Sequence, residues 1–382
     1  MNLFKFFIIC ISTTIIVQAQ VSANFGTPKF TPPDGKKLLI IGQDLGAVGG
    51  LNSYSNGYID NITSHLPAGV TTYTSLPSLS GLANLANWGA GNIHADAYFE
   101  DNTFSNAFIV IGLYLVDVLD NINNGIIDNN IRTLANWVKE KDRPVFIRIG
   151  YEFDGAWNNY NPTKFKKAWK HIVHIFDDEK VKNAAYVWQS SGLNNNNLID
   201  WYPGNDYVNW VGYSYFDGEN MGQSIRDFGE TYNKPIMIAE ATPKVDLKEV
   251  NPEIFWTNWF EPLFNEIYTT NKIKALAYIN TDWDSQFMWA GKGWGDSRIQ
   301  KVPYIKEKWE LENKDYTTDE PEMAPVTYVA QPPDEGLRAY LFDVSRALGK
   351  EDTVMVDVRS PAEFTGQITA PPEYPMEHAQ RG

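Results

Sequence analysis

The chain is nearly devoid of cysteine. Its one cysteine, Cys10, lies in an apolar N-terminal run. No intrachain disulfide can form, and loss of that run would leave neither a thiolate zinc site nor a cysteine nucleophile. Histidine is scarce too, with five residues. His171 and His174 sit three apart on a helical pattern, and His65, His94 and His378 are scattered. None of this is a metal-ligand spacing, and no metal or other cofactor is expected. Positive charge is in deficit, with Lys+Arg 32 against Asp+Glu 47 and a net charge of -15. An acidic surface repels phosphate backbones, which disfavours nucleic acid and anionic membranes and leaves neutral polymers open as partners. Beyond the N-terminal run no apolar stretch has transmembrane length. There is no Gly-x-Ser-x-Gly elbow and no phosphate loop.

Met1 to Ala19 reads as a secretory signal. Lys5 supplies the charged start, Phe6 to Val17 the mainly apolar stretch, and Val17-Gln18-Ala19 the small-residue cleavage site. A membrane helix needs about 20 apolar residues, and this run is shorter. The expectation is a secreted or periplasmic protein, monomeric, and free of the membrane once the signal is removed. A cysteine-free mature chain suits an oxidising compartment.

What the sequence does have is aromatic residues: 13 Trp, 20 Tyr and 20 Phe. It also has recurring short runs rich in apolar and β-branched residues. These are Leu38–Gly42, Val70–Leu76, Phe108–Leu115, Val145–Gly150, Ala184–Gln189, Val208–Phe216, Pro235–Glu240 and Ile273–Asn280. Most are continuously apolar, as strands buried on both faces of a parallel sheet must be. Helical periodicity lies between several of them, over Ile126–Lys139, Pro162–Phe176 and Glu253–Thr269. The alternation predicts an α/β fold, a (β/α)8 TIM barrel over residues 36–308. A doubly wound open sheet is the competing reading. Against it, Asp44 and Ala47 stand where a dinucleotide fingerprint needs glycines after the first strand.

The pattern stops near Trp309. An acidic, Pro-bearing linker is expected over 309–332. A small segment follows over 333–382, with one helix (Gly336–Leu348) and one strand (Thr353–Val358). The residues after Trp309 contain no tryptophan and carry 15 acids against 6 bases, so much of the net charge lies there.

Barrel active sites form at the C-terminal ends of the strands. The fourth run leads into Arg148-Ile149-Gly150-Tyr151-Glu152, and the seventh ends Met237-Ile238-Ala239-Glu240. A carboxylate where a buried strand meets its loop is costly unless it has a task or a partner. Salt-bridging, to Arg148 for instance, is the structural explanation. The chemical one is a pair facing each other across the mouth, one acid to protonate a glycosidic oxygen and one carboxylate to attack or to activate water. Aromatics favour the chemical one. Trp157, Trp188, Tyr213, Tyr215, Trp283, Trp289 and Trp294 fall at or beyond strand ends, and sugar C–H faces pack on such rings. Trp137, Trp169 and Trp259 lie in helical segments and read as core.

These residues resemble a known family. Arg148-Ile149-Gly150-Tyr151-Glu152-Phe153-Asp154-Gly155 is similar to the acid/base region of glycoside hydrolase family 26. Trp201-Tyr202-Pro203-Gly204-Asn205-Asp206-Tyr207-Val208-Asn209-Trp210-Val211-Gly212 and Lys234-Pro235-Ile236-Met237-Ile238-Ala239-Glu240 resemble it as well. The resemblance covers about residues 36–308. It implies a (β/α)8 barrel with Glu152 as general acid/base and Glu240 as nucleophile, cleaving with retention through a covalent glycosyl-enzyme. It also implies that Tyr213 or Tyr215 hydrogen-bonds the nucleophile and that Trp283 is a sugar platform. Arg148, Tyr151, Trp157 and Trp188 complete the expected substrate-binding set. Family mannanases usually carry histidine before the acid/base glutamate. Tyr151 stands there in this chain, which leaves β-1,3-xylan and β-glucan open beside mannan.

The tail resembles something else. Val356-Asp357-Val358-Arg359-Ser360-Pro361-Ala362-Glu363-Phe364-Thr365-Gly366 is similar to part of a rhodanese, a thiosulfate sulfurtransferase. The resemblance implies an incomplete α/β rhodanese-like fragment. The family's catalytic cysteine lies past this motif, and no cysteine follows Cys10, so persulfide chemistry is not expected. The expected function is a secreted retaining endo-glycosidase on a β-linked polysaccharide. The alternatives are a barrel that holds polysaccharide without cutting it, and a sulfurtransferase.

Overall fold

The computed structural model describes residues 26–64, 66–195, 197–218 and 221–313, and the backbone of 316–317. The chain divides into two units, Met1–Ala324 and Pro325–Gly382, and the described residues belong to the first. The expected signal, most of the expected linker and the rhodanese-like segment lie outside them. Among the described residues no helix is long and apolar enough to cross a membrane.

Eight parallel strands form a closed barrel. They are β1 (Lys37–Gly42), β2 (Gly69–Ser75), β3 (Phe108–Tyr114), β4 (Val145–Ile149), β5 (Ala184–Ser190), β6 (Trp210–Tyr215), β7 (Ile236–Ala241) and β8 (Ile273–Ile279). Each pairs with the next, and β8 closes on β1 in register from Leu38↔Ala275 to Gly42↔Ile279. All eight expected runs are strands, and the closure excludes the open sheet. Their continuous apolarity has a simple cause, since each strand has two buried faces. One face fills the interior with Ile40, Phe108, Val110, Phe146, Val187, Trp210, Met237 and several alanines. The other packs on the helices through the larger cluster of Ile41, Ile109, Ile147, Trp188, Tyr213, Ile238 and their neighbours.

The helices follow from local signals. Pro162–Asp178 starts with proline, and the Asn161 side chain caps it by accepting from the Lys164 N–H at 3.1 Å. It buries Phe165, Trp169, Ile172 and Phe176 against the barrel. The helix expected over Glu253–Thr269 is instead three joined pieces, Pro252–Phe255, a π segment Trp256–Phe260, and Glu261–Thr269. Pro262 explains the break. It has no N–H, and its ring clashes with the carbonyl one turn back, so the ladder widens there.

Two boundaries differ from expectation. Helix Pro303–Glu312 extends the barrel unit past residue 308. Trp309 is fully buried in it, packs on Tyr278 with ring centroids 4.9 Å apart, and donates to the Tyr58 hydroxyl at 2.8 Å. Tyr316–Thr317, placed in the linker by sequence, pairs with Lys37–Leu38 at the start of β1. The Pro/Gly-rich lead-in is structural as well. Phe30 meets Phe146 edge-on at 5.7 Å, and the carbonyls of Gly26, Thr27 and Lys29 accept from Lys234, Asn209 and Trp210. It seals the end of the barrel where the strands begin.

Candidate active site

Strand alternation decides which side chains reach the mouth. On β4 the inward residues are Phe146 and then Arg148; on β5, Ala185, Val187 and then Gln189; on β6, Trp210 and then Ser214. Strict alternation on β7, with Met237 and Ala239 inward, would turn Glu240 toward the helices. A β-bulge prevents this. Tyr213 pairs with Ile238 but Ser214 pairs with Glu240, so Ala239 is the extra residue. The bulge resets the alternation and aims Glu240 into the mouth. Glu152 is aimed by different means. Beyond the end of β4 the backbone takes left-handed conformations at Gly150 (φ 55°) and at Glu152 itself (φ 52°). A non-glycine residue there costs about 1–2 kcal/mol. Asn158 offsets the strain, its amide donating to the carbonyls of Tyr151 at 3.1 Å and Glu152 at 2.8 Å.

Arg148 organises the floor. It is 0% exposed. Its Nη1 donates to Glu240 Oε1 and, at 2.9 Å, to Gln189 Oε1, while Nη2 donates to Thr71 Oγ1 at 3.3 Å. The Tyr73 hydroxyl also donates to Glu240 Oε1, at 2.9 Å. Both donors thus converge on one oxygen of Glu240. The rings of Tyr73 and Tyr151 lie 5.0 and 5.3 Å from the guanidinium and meet edge-on. Gly112 makes room for this arrangement. A Cβ there would stand 2.5 Å from the Tyr73 ring and 2.9 Å from Arg148 Nη2.

Glu152 occupies the other side. Its Oε1 accepts from Ser214 Oγ at 2.7 Å and its Oε2 from Trp157 Nε1 at 3.0 Å. Gln189 Nε2 donates to Ser214 Oγ at 3.0 Å. Glu152 is 7% exposed and Glu240 8%. Burial, and then the negative charge of Glu240, push the Glu152 carboxyl up to about 8. The hydrogen bonds from Ser214 and Trp157 and the charge of Arg148 oppose the shift and lose. Burial also pushes the Tyr73 hydroxyl above the ordinary phenol range, ahead of the charge of Glu240, so Tyr73 remains a neutral donor.

The structure brings Arg148, Tyr151, Glu152, Trp157 and Glu240 together. It does not bring Trp188, Tyr213 and Tyr215 with them. These three have outward parity and belong to the helix-facing core. Trp188 stacks on Phe153 at 4.3 Å. Tyr213 donates to Glu266, and Tyr215 packs edge-on against Trp259 at 5.2 Å. The hydroxyl on the β7 carboxylate therefore comes from Tyr73 on β2, and the expectation of Tyr213 or Tyr215 is corrected. Trp283 is 4% exposed. It packs on Trp289 and Trp294 at 5.2 and 5.0 Å and donates to Thr242 Oγ1 at 3.2 Å. An open platform there is corrected to a ring mostly covered by its neighbours. The Asp282 and Asp296 carboxylates of that loop are bridged by Arg298.

Sequence reasoning missed Tyr73, Gln189 and Ser214. For Gln189 and Ser214 a signal was available, as polar residues at one parity of mainly apolar strands. It also missed an apolar rim of Trp88, Met288 and the 93% exposed Phe287, joined where Met288 N donates to Gly89 O at 2.8 Å. Among the described residues no group of three His, Cys, Asp or Glu could hold a metal ion.

This geometry can be set beside known proteins. The family model "Glycosyl hydrolase family 26" matches residues 96–286. The chain is 35% identical over 309 residues to a β-1,3-xylanase, TXYA, from Vibrio sp., covering 73% of this chain and 65% of that protein's length. It is 32% identical over 353 residues to a β-1,3-xylanase from Alcaligenes sp., covering 84% and 73%. The fold matches that of a GH26 β-mannanase from Bacteroides ovatus, with a TM-score of 0.57 at 13% identity over 78% of this chain and 95% of that one. It also matches GH26C from Muricauda sp., with a TM-score of 0.55 at 14% identity over 74% and 87%. A stretch of 124 residues, 32% of the chain, is 39% identical to a putative thiosulfate sulfurtransferase of Saccharopolyspora erythraea and covers 43% of it. The barrel, the family match and the two xylanase relatives agree: the chain belongs to glycosyl hydrolase family 26.

Proposed function

We propose that the chain is an exported, retaining endo-glycosidase that cleaves β-1,3-xylan by double displacement. The observation that carries this reading is the asymmetry of the two carboxyls. Burial and the charge of Glu240 hold Glu152 protonated near neutral pH, to about 8. Glu240 accepts hydrogen bonds from the buried cation of Arg148 and from the neutral Tyr73 hydroxyl. Two carboxyls in unlike environments suit an acid and a nucleophile. In the first step Glu240 Oε2, the oxygen that Arg148 and Tyr73 leave open, bonds to the anomeric carbon. The C–O bond to the leaving sugar breaks, its electron pair goes to the leaving oxygen, and that oxygen takes the Glu152 proton. In the second step Glu152 removes a proton from water, the water oxygen bonds to the anomeric carbon, and Glu240 departs as a carboxylate. Retaining enzymes need the two carboxyls about 5–5.5 Å apart.

The two xylanase relatives favour xylan. The mannanase neighbours, below 25% identity, support the fold alone. Trp157 on the rim offers a ring face to a sugar. The enzyme would act as a monomer, with the polysaccharide as its partner and without a cofactor.

Reducing ends released from β-1,3-xylan, mannan and mixed-linkage β-glucan test the reading, with 1H NMR of the first-formed anomer. Release from xylan with retention, lost in Glu240→Ala, is expected. No release from any of the three would leave the barrel as a binding module. The mass of the exported protein tests cleavage after Ala19.

A further inference from the structure

A chain of hydrogen bonds joins the two carboxyls, and its polarity is set from the Arg148 end. Arg148 is always a donor. Gln189 Oε1 accepts from it at 2.9 Å, so the opposite end of that amide, Nε2, must donate. Nε2 donates to Ser214 Oγ at 3.0 Å. Ser214 has one proton, and its remaining partner is Glu152 Oε1 at 2.7 Å. Glu152 Oε1 receives that proton, because Ser214 accepting from both neighbours would leave its buried O–H unpaired. Arg148, Gln189 and Ser214 are all fully buried, so water does not compete for these bonds.

The structure assigns Gln189 as the positioning residue that sets this polarity: by donating to Ser214 Oγ it directs the Ser214 proton onto Glu152 Oε1. Oε2 is the oxygen beside the exposed Trp157, on the open side of the mouth. The charged groups facing Glu152 are Glu240 and Arg148. Tyr73 and Tyr151 are neutral, and Asp154 turns away to Ser190 Oγ and the Ser191 N–H, both at 2.7 Å. The amide reaches the chemistry through another side chain and touches no substrate. This inference rests on the reading of Glu152 as the general acid, but its test needs no substrate.

The indole N–H of Trp157 sits on Glu152, so its 1H–15N NMR signal follows Glu152 ionisation. Gln189→Glu replaces the donating end of the amide with an acceptor, which draws the Ser214 proton away from Glu152. One lost hydrogen bond to a charged group, plus the added charge, moves the inflection up by about one to two pH units. Ser214→Ala moves it up by about one unit through the lost bond alone. Ser214→Thr keeps the hydroxyl and leaves it in place. If Gln189→Glu does not fold, the two Ser214 variants decide. Upward shifts with Ser214→Thr unmoved support the assignment. An inflection that stays in place or falls in Gln189→Glu and Ser214→Ala overturns it. A shift in a protein that releases no sugar from any polysaccharide would uphold the polarity and refute the glycosidase reading instead.

Discussion

Replacing Trp157 by Phe removes one hydrogen bond from Glu152 and little else. Trp157 is 59% exposed, so the fold does not depend on it. Phenylalanine keeps most of its ring but loses the Nε1–H that lies 3.0 Å from Glu152 Oε2. That donor stabilises the ionised carboxylate, so removing it favours the acid form and raises the pKa. A hydrogen bond to a charged group contributes about 1.5–3 kcal/mol, and about 1.4 kcal/mol is one pKa unit. An exposed donor falls at the lower end of that range, so the expected shift is about one unit. The general acid works while protonated, and activity declines as pH rises through its pKa. The alkaline limb of kcat/KM should then move from about 8 in the parent protein to about one unit higher. Initial rates on soluble xylan across neutral and alkaline pH measure it. The level of kcat/KM also changes because a sugar-facing ring is altered, but the position of the limb reports Glu152 alone. A limb that stays put, or moves to lower pH, would refute the assignment of Trp157 as a donor to the catalytic acid.

Three further perturbations follow from the same geometry. The raised pKa of Glu152 means that the folded state binds its proton more tightly than the unfolded chain, so stability is lost as pH rises from about 4.5 to about 8. Glu152→Gln mimics the neutral form and should stabilise the fold more at pH 9 than at pH 4, by no more than about 5 kcal/mol at 1.4 kcal/mol per unit, read as a larger rise in melting temperature at pH 9. The same variant should lose about 10²–10⁴-fold in kcat/KM on xylan, and far less in the first step on an aryl glycoside that departs without a proton. Gly112→Ala pushes on Tyr73 and Arg148. It should cost about 1–3 kcal/mol in urea denaturation and depress kcat. Trp309→Ala empties a fully buried site and unpairs Tyr58, and should cost about 3–5 kcal/mol in the same assay.

The strands were legible because a parallel barrel buries both faces of each one. The same property hid the site. In Ala184-Ala185-Tyr186-Val187-Trp188-Gln189 every residue is buried, so hydrophobicity does not say which parity faces the axis. Reading aromatics as sugar contacts selected Trp188 and Tyr213, which face the helices, over Gln189 and Ser214, which face the mouth. The apolar runs placed Glu152 and Glu240 at strand ends, as the structure does. The bulge at Ala239 that turns Glu240 inward depends on pairing with both neighbouring strands, and pairing is not local. Tyr73 was missed for a related reason. It lies more than 160 residues from Glu240 in sequence, and barrel closure alone makes them neighbours.

The sealed end of the barrel has a practical consequence. The lead-in enters across that end, and Tyr316–Thr317 leaves alongside the first residues of β1. Both ends of the described part of the barrel, Gly26 and Thr317, thus lie on the face opposite the mouth. A tether attached at either one, to a bead or an electrode, would hold the protein with its cleft facing solution, where a long insoluble fibre can reach it.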